Sequence, residues 1–132
     1  MAAPPPSRRR RVDPPGTLLF AEGDPGDEAY IVESGRVSVF KTIDGQRVVL
    51  GEICSGGIFG EMALIDDQPR MASAITEEET AIVIVGKQRL SEQLDLAPKG
   101  VRVMVAALLG NIRLLGSELA QARAILAEEP SP

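Results

Sequence analysis

The chain has no histidine and no tryptophan, a single cysteine, and only one tyrosine and three phenylalanines. Each scarcity excludes something. Without histidine there is no imidazole base, no His-ligated metal and no Ser-His triad. What remains for catalysis is scattered carboxylates with no paired acid/base arrangement, so the chain is not expected to be an enzyme, and no metal or cofactor is expected. The lone thiol, Cys54, cannot close an intrachain disulfide and reads as a small apolar residue in a reducing compartment. Aromatics at 3% leave the core to Val, Ile, Leu and Ala. No apolar run reaches the length needed to span a bilayer, and the N-terminus lacks the apolar segment of a secretory signal. A cytoplasmic location is the expectation. The net charge of -5 argues against broad nucleic-acid binding by the folded part.

The 132 residues suffice for one domain with a real core. Residues 1–16, with Pro4-Pro5-Pro6, Pro14-Pro15 and the basic run Arg8 to Arg11, read as a disordered, solvated tail. The sharper alternative is a docking arm for an acidic partner, nucleic acid or a membrane surface. From Thr17 to Val85 short β-rich runs alternate with turn formers: Thr17–Phe20, Tyr30–Glu33, Arg36–Lys41, Arg47–Ile53, Met71–Thr76 and Thr80–Val85. Asp44-Gly45 is a strong hairpin signal. Many short strands in one small domain imply a β-barrel, roll or sandwich.

At Gly86 the period changes. Lys87 to Asp95 predicts a short helix, and about Gly100 to Glu128 predicts a long one. Its apolar positions Val101, Val105, Leu108, Ile112, Leu115, Leu119, Ala122 and Leu126 are spaced alternately four and three apart, a heptad seam that favours a parallel homodimer. In that register Glu118 and Arg123 are placed to pair between chains. The alternative is that the seam packs on the chain's own β-domain. Leu109 and Met104 lie beside the seam, which leaves a second stripe free to touch that domain.

The most informative stretch is Gly56 to Ala74, GGIFGEMALIDDQPRMASA. Its glycines let backbone N–H groups approach a ligand, a turn of helix from Glu61 presents unpaired donors, and Arg70 adds a fixed cationic fork suited to phosphate. Glu61 would repel a bare anion but would accept from a hydroxyl on the same ligand, so a sugar phosphate or nucleotide accounts for both. Ser73 can donate a further hydroxyl. A buried Glu61–Arg70 ion pair closing a surface loop would account for the same two residues.

This stretch resembles the phosphate-binding cassette of cyclic nucleotide-binding domains, with Glu61 and Arg70 at the family's interval, and EGDPGDEAYIVESGRVSVF upstream resembles the family's glycine-punctuated β-roll. The resemblance implies a mainly β fold with α: an eight-stranded antiparallel β-roll of jelly-roll type over residues 17–98 with a short helix, then a long lid or dimerisation helix over 99–128 and a disordered end over 129–132. It implies cAMP or cGMP as ligand. Arg70 would meet the cyclic phosphate and Glu61 the ribose 2′-hydroxyl. Phe59, Gly60, Met62, Ala63, Met71, Ala72 and Ser73 would complete the cradle, with Leu64 and Ile65 lining it or linking it to the helices. Leu108, Leu109, Asn111 and Ile112 would be lid contacts over the base. Met71 stands where cGMP-selective members often carry threonine, which leans towards cAMP. Binding would then draw the long helix towards the roll and signal to a downstream protein. No DNA-binding helix-turn-helix follows the long helix, so the chain reads as a stand-alone sensor or an excised module. A dimerisation module with a degenerate pocket is the competing expectation.

Overall fold

A computed structural model describes residues 8–128. Eight strands and three helices run in the order β1 (Arg8–Asp13), β2 (Leu18–Phe20), β3 (Glu28–Ser34), β4 (Arg36–Ile43), β5 (Gln46–Cys54), β6 (Ile58–Phe59), α1 (Glu61–Asp66), β7 (Ser73–Thr76), β8 (Thr80–Gly86), α2 (Lys87–Asp95) and α3 (Lys99–Glu128) among the described residues. The strands form two four-stranded sheets, β1-β8-β3-β6 and β2-β7-β4-β5, and every pairing is antiparallel. The expected fold class, an antiparallel β-roll with a short helix and a long C-terminal helix, is the observed one.

The roll closes because each sheet turns one apolar face inward. Thr80, Ile82 and Ile84 alternate inward along β8, and Tyr30 and Val32 meet them from β3. Val37, Phe59 and Ala74 complete the buried cluster, with Leu19, Phe20 and Ile53 packed against it. Turn chemistry fixes the register. Asp44 and Gly45 both have positive φ, 53° and 79°, as the tight β4–β5 hairpin requires. Buried threonines seal the end of the roll: Thr76 Oγ1 donates to the Pro14 carbonyl at 2.7 Å and accepts from the Thr17 N–H at 2.8 Å.

The expected tail is corrected in part. Residues 8–13 are not tail but an edge strand, paired with β8 from Arg8↔Val85 to Asp13↔Thr80. The basic run is tolerated there because carboxylates answer it: Arg9 pairs with Glu28 at 2.7 Å, Arg10 with Glu33 at 3.1 Å and Arg11 with Asp13 at 3.0 Å. Charged residues on an edge strand also discourage edge-to-edge association. Residues 14–16 of the expected tail form the turn into β2, with the Gly16 N–H donating to the Thr76 carbonyl at 2.8 Å, while residues 1–7 and the expected end, residues 129–132, lie outside the described residues. Cys54 is a second correction: it is exposed at the end of β5, not packed as an apolar residue.

α3 lies along the roll by one stripe. Leu109 and Ala120 are buried, and Gly116 sits against Met71, where an added Cβ would collide with the Met71 methyl. Arg123 Nη1 donates to the Val49 carbonyl at 2.5 Å, so that side chain is engaged with its own β5. The heptad seam is left uncovered beside that stripe: Val101, Leu108, Ile112, Leu115, Leu119 and Leu126 are all exposed, and Ile112, Leu115 and Leu119 also border a groove against the roll. By length and composition this helix is also apolar enough to cross a membrane, contrary to the sequence expectation, because its small and aliphatic residues outnumber widely spaced charges.

Candidate functional site

The scarce aromatics are concentrated. Tyr30 stacks on both Phe20 and Phe59, which are tilted against each other, with ring centroids 5.1–6.1 Å apart. Phe20 and Phe59 form part of the floor of a cavity of about 160 Å³, which is also lined by Val39, Ile53 and Ile58 from the strands and by Gly60, Glu61, Met62, Ala63, Arg70, Met71 and Ala72 from the glycine-rich stretch. β6 carries Phe59 into the roll. Gly60 then turns the chain at φ 81°, a left-handed conformation that suits glycine, and α1 begins at Glu61.

Arg70 dominates this cavity. It is 6% exposed, and its guanidinium lies 4.1 Å above the Phe20 ring. Nη1 donates to the Gly60 carbonyl at 2.6 Å and Nη2 to the Glu28 carbonyl at 2.7 Å. Nε is buried and has no hydrogen-bond partner. No carboxylate forms an ion pair with Arg70 among the described residues, so Glu61 and Arg70 do not close the loop as a pair. Burial pulls the guanidinium below its ordinary pKa, while Tyr30 and the carboxylates of Asp27, Glu28 and Asp24 act the other way; the group stays cationic. The Tyr30 phenol is pushed up, first by burial and then by the charge of Glu28. A buried cation with no carboxylate in ion-pair contact, and with one orphan donor, is chemically suited to an anion.

Two glycines make room for this arginine. A Cβ on Gly26 would sit 2.6 Å from Arg70 Cζ and Nε, and one on Gly60 would sit 2.8 Å from Nη1. The backbone of Arg70 is held as firmly: its N–H donates to the Asp24 carbonyl at 2.8 Å and its carbonyl accepts from Gly23 at 2.9 Å.

The expected cradle residues Phe59 to Ala63 and Arg70 to Ala72 are brought together around this one cavity. Ser73 is not in its lining; the side chain is buried, and its hydroxyl oxygen accepts from the Glu22 N–H at 2.8 Å. Leu64 is buried behind α1. None of the expected lid residues lines the cavity. Leu109 is buried under α3, Leu108 and Asn111 are exposed, and Ile112 lines an adjoining apolar groove of about 360 Å³ with Leu50, Leu115, Gly116 and Leu119. Val39, Ile53 and Met71 line both spaces. The α3 residue that does reach the cavity is Arg113.

Sequence reasoning missed Phe20, Val39, Ile53, Ile58 and Arg113. The strand residues carry no local signal, because strand order alone brings them to the cassette. The family model for the cyclic nucleotide-binding domain matches residues 10–96. The chain belongs to the cyclic nucleotide-binding domain family. It is 40% identical over 81 residues to a cAMP-dependent protein kinase regulatory subunit of Pyricularia oryzae, covering 61% of this chain and 20% of that protein. It is 33% identical over 112 residues to the cyclic AMP receptor protein of Thermus thermophilus, covering 84% of this chain and 52% of that one. This cyclic nucleotide-binding domain therefore spans between a fifth and about half the length of these curated relatives. Among solved structures it resembles the EAL enzyme Bd1971 in its cAMP-bound form, at TM-score 0.79 and 39% identity over 88% of this chain and 32% of that one. The cGMP-bound form of Bd1971 is similar at TM-score 0.78 and 40% identity, over 80% of this chain and 28% of that one.

Proposed function

We propose that this chain is a cyclic-nucleotide-binding regulatory module, with cAMP favoured over cGMP. The observation that carries the reading is Arg70: a buried guanidinium with an orphaned Nε, facing a cavity that also presents a Glu61 carboxylate unpaired with it. Arg70 would meet the cyclic phosphate, and Glu61 would accept from the ribose 2′-hydroxyl. Backbone groups of Gly60, Met62 and Ala72 close the cradle, with Phe59, Ala63 and Met71 around them. The cavity of about 160 Å³ suits the phosphate and sugar, and the base extends towards the groove under α3, past Met71. Met71 brings no hydroxyl to that boundary, which is the basis for favouring cAMP. Ser73 keeps its O–H proton free to donate, but needs a shift of its side chain to reach the ligand.

The role is regulatory rather than catalytic, in line with the two curated relatives named above, and the ligand is a signal, not a cofactor. Binding is coupled to the seat of α3 on the roll, and the seam of α3 forms a parallel homodimer. The coupling requires that the nucleotide have different affinity for two arrangements of the helix. A cytoplasmic setting suits an unpaired, exposed thiol such as Cys54. A second reading has its own observation: the uncovered apolar seam from Val101 to Leu126 fits a dimerisation module that uses no ligand.

Calorimetric titration with cAMP and with cGMP separates the two. The expected result is micromolar or tighter binding of cAMP, a weaker response to cGMP, and loss of roughly a hundredfold or more in Arg70→Ala, where a charged hydrogen-bond partner of the phosphate is removed. No heat with either nucleotide sinks the sensor reading and leaves the dimerisation module.

A further inference from the structure

Arg113 spends all of its reach on one loop. Its Nε donates to Asp66 Oδ2 at 2.6 Å and its Nη2 to Asp66 Oδ1 at 2.9 Å, a bidentate pair. Its Nη1 donates to the Pro69 carbonyl at 2.9 Å. These contacts bracket the four residues that end α1 and lead into Arg70. Between them Asp67 takes a left-handed conformation, φ 55°, and the Gln68 N–H donates to Asp66 Oδ1 at 3.0 Å. The other side-chain tie from outside the loop is the ion pair between Lys87 of α2 and Asp67, whose side chains are far more exposed, 42% and 72%. Arg113 and Asp66 are 20% and 14% exposed at their side chains, so solvent screens this pair less than the other ion pairs of the surface.

The other side of Arg70 is held by the turn between β2 and β3, through Asp24 and Gly23. The ligand-facing arginine is thus stretched between two supports. One is a turn of the roll and the other is a side chain of α3.

We propose that Arg113 is a positioning residue for the anion site: by clasping Asp66 and Pro69 it fixes the loop that aims Arg70, and so makes the seat of α3 a determinant of ligand affinity. The proposal rests on the cyclic-nucleotide reading above. It also gives the coupling a residue, since lifting α3 off the roll pulls the clasp from the loop. Coupling of this kind is reciprocal, so whatever factor the clasp adds to nucleotide affinity, bound nucleotide adds to the seating of α3. Lysine is a poor substitute, because one ammonium cannot make the bidentate pair and reach the carbonyl together.

The test compares cAMP titrations of the wild type, Arg113→Gln, Asp66→Asn, the double variant and Arg113→Lys. Each single variant is expected to bind about tenfold more weakly, the double no more weakly than either single, and Arg113→Lys in between. Wild-type affinity in both single variants overturns the proposal, and so do losses that simply add in the double. Hydrogen exchange on the nucleotide-free protein gives a readout that does not depend on the ligand. In Arg113→Gln the amides of Asp67, Gln68 and Arg70 are expected to exchange faster while those of β3 and β8 do not change. Unaltered exchange in that loop overturns the clasp even if the nucleotide reading holds. A wild type that binds neither nucleotide, with exchange altered as expected, overturns the nucleotide reading and leaves the clasp standing. Should Arg113→Gln fail to fold, Arg113→Lys decides by the same two measurements.

Discussion

Gly26 has no side chain because Arg70 occupies the space one would take. The backbone there is not in a left-handed conformation, so the constraint is room alone. A methyl at Gly26 meets the Arg70 guanidinium at 2.6 Å and the Ala63 Cβ at 2.9 Å, and Ala63 cannot retreat from its buried place on α1. Gly26→Ala is therefore expected to keep the β-roll but push Arg70 off its two carbonyls and weaken cAMP binding roughly tenfold or more. Calorimetry checks it, and unchanged affinity would show that the aim of Arg70 does not matter. Asp66 carries a second residue-scale prediction. Burial alone would raise its carboxyl pKa, but the hydrogen bonds from Arg113 and the Gln68 amide outweigh it and hold the carboxyl below its ordinary value. A carboxyl depressed in the folded state adds stability that is full above the unfolded pKa and is lost as pH falls through the folded one. Asp66→Asn should thus cost about 1 kcal/mol at neutral pH, solvent screening included, and progressively less below about pH 4. Thermal unfolding across that range tests it; a cost that does not change with pH would count against an ionised clasp.

Among the elements, those with local punctuation are legible in the chain itself. Asp44-Gly45 marks the β4–β5 hairpin, and the change of period at Gly86 marks the start of α2 at Lys87–Asp95. The glycine-rich stretch marks the cavity wall because its chemistry is contiguous in sequence. β1 is not legible, since the partners that make an arginine run into a strand, Glu28 and Glu33, lie far along the chain on β3. β6 is hidden by its length of two residues. Arg113 is hidden for the same reason as β1: its partner Asp66 is 47 residues away, and nothing in a helical repeat marks which polar position faces a loop. Three of the four expected lid residues, Leu108, Asn111 and Ile112, are exposed, whereas the stripe of Leu109, Arg113, Gly116 and Ala120 is the one that faces the roll. The strand that composition disguises can be tested directly. Deleting residues 1–13 removes β1 and leaves β8 as an open edge. Urea unfolding is expected to show a loss of about 2 kcal/mol or more, with a greater tendency to aggregate. An unchanged midpoint would return the segment to the status of a tail.

At the scale of the whole molecule, the two stripes of α3 divide its work. One stripe seats the helix on the roll, and the other presents Val101, Leu108, Ile112, Leu115, Leu119 and Leu126 to solvent, with Leu126 67% exposed. An uncovered apolar ridge of this length is suited to an interface. Its spacing of four and three suits a parallel pair of helices. The expected Glu118–Arg123 pair between chains competes with the bond from Arg123 to the Val49 carbonyl, so the dimer gains little from it unless Arg123 lets go of β5. The apolar seam must then carry association. Leu115 and Leu119 are poor places to probe it, because both line the groove beside the cavity and a change there would disturb the nucleotide as well. Ala122 and Leu126 lie on the seam beyond that groove and are exposed. The double variant Ala122→Lys/Leu126→Lys places four buried ammonium groups in a two-fold interface and leaves the cavity untouched. Sedimentation is expected to show a dimer for the intact chain and a monomer for the variant, with cAMP affinity within about threefold of the original. A wild type that sediments as a monomer would mean that this ridge is covered by some other partner, and a variant that stays dimeric would move the interface off α3.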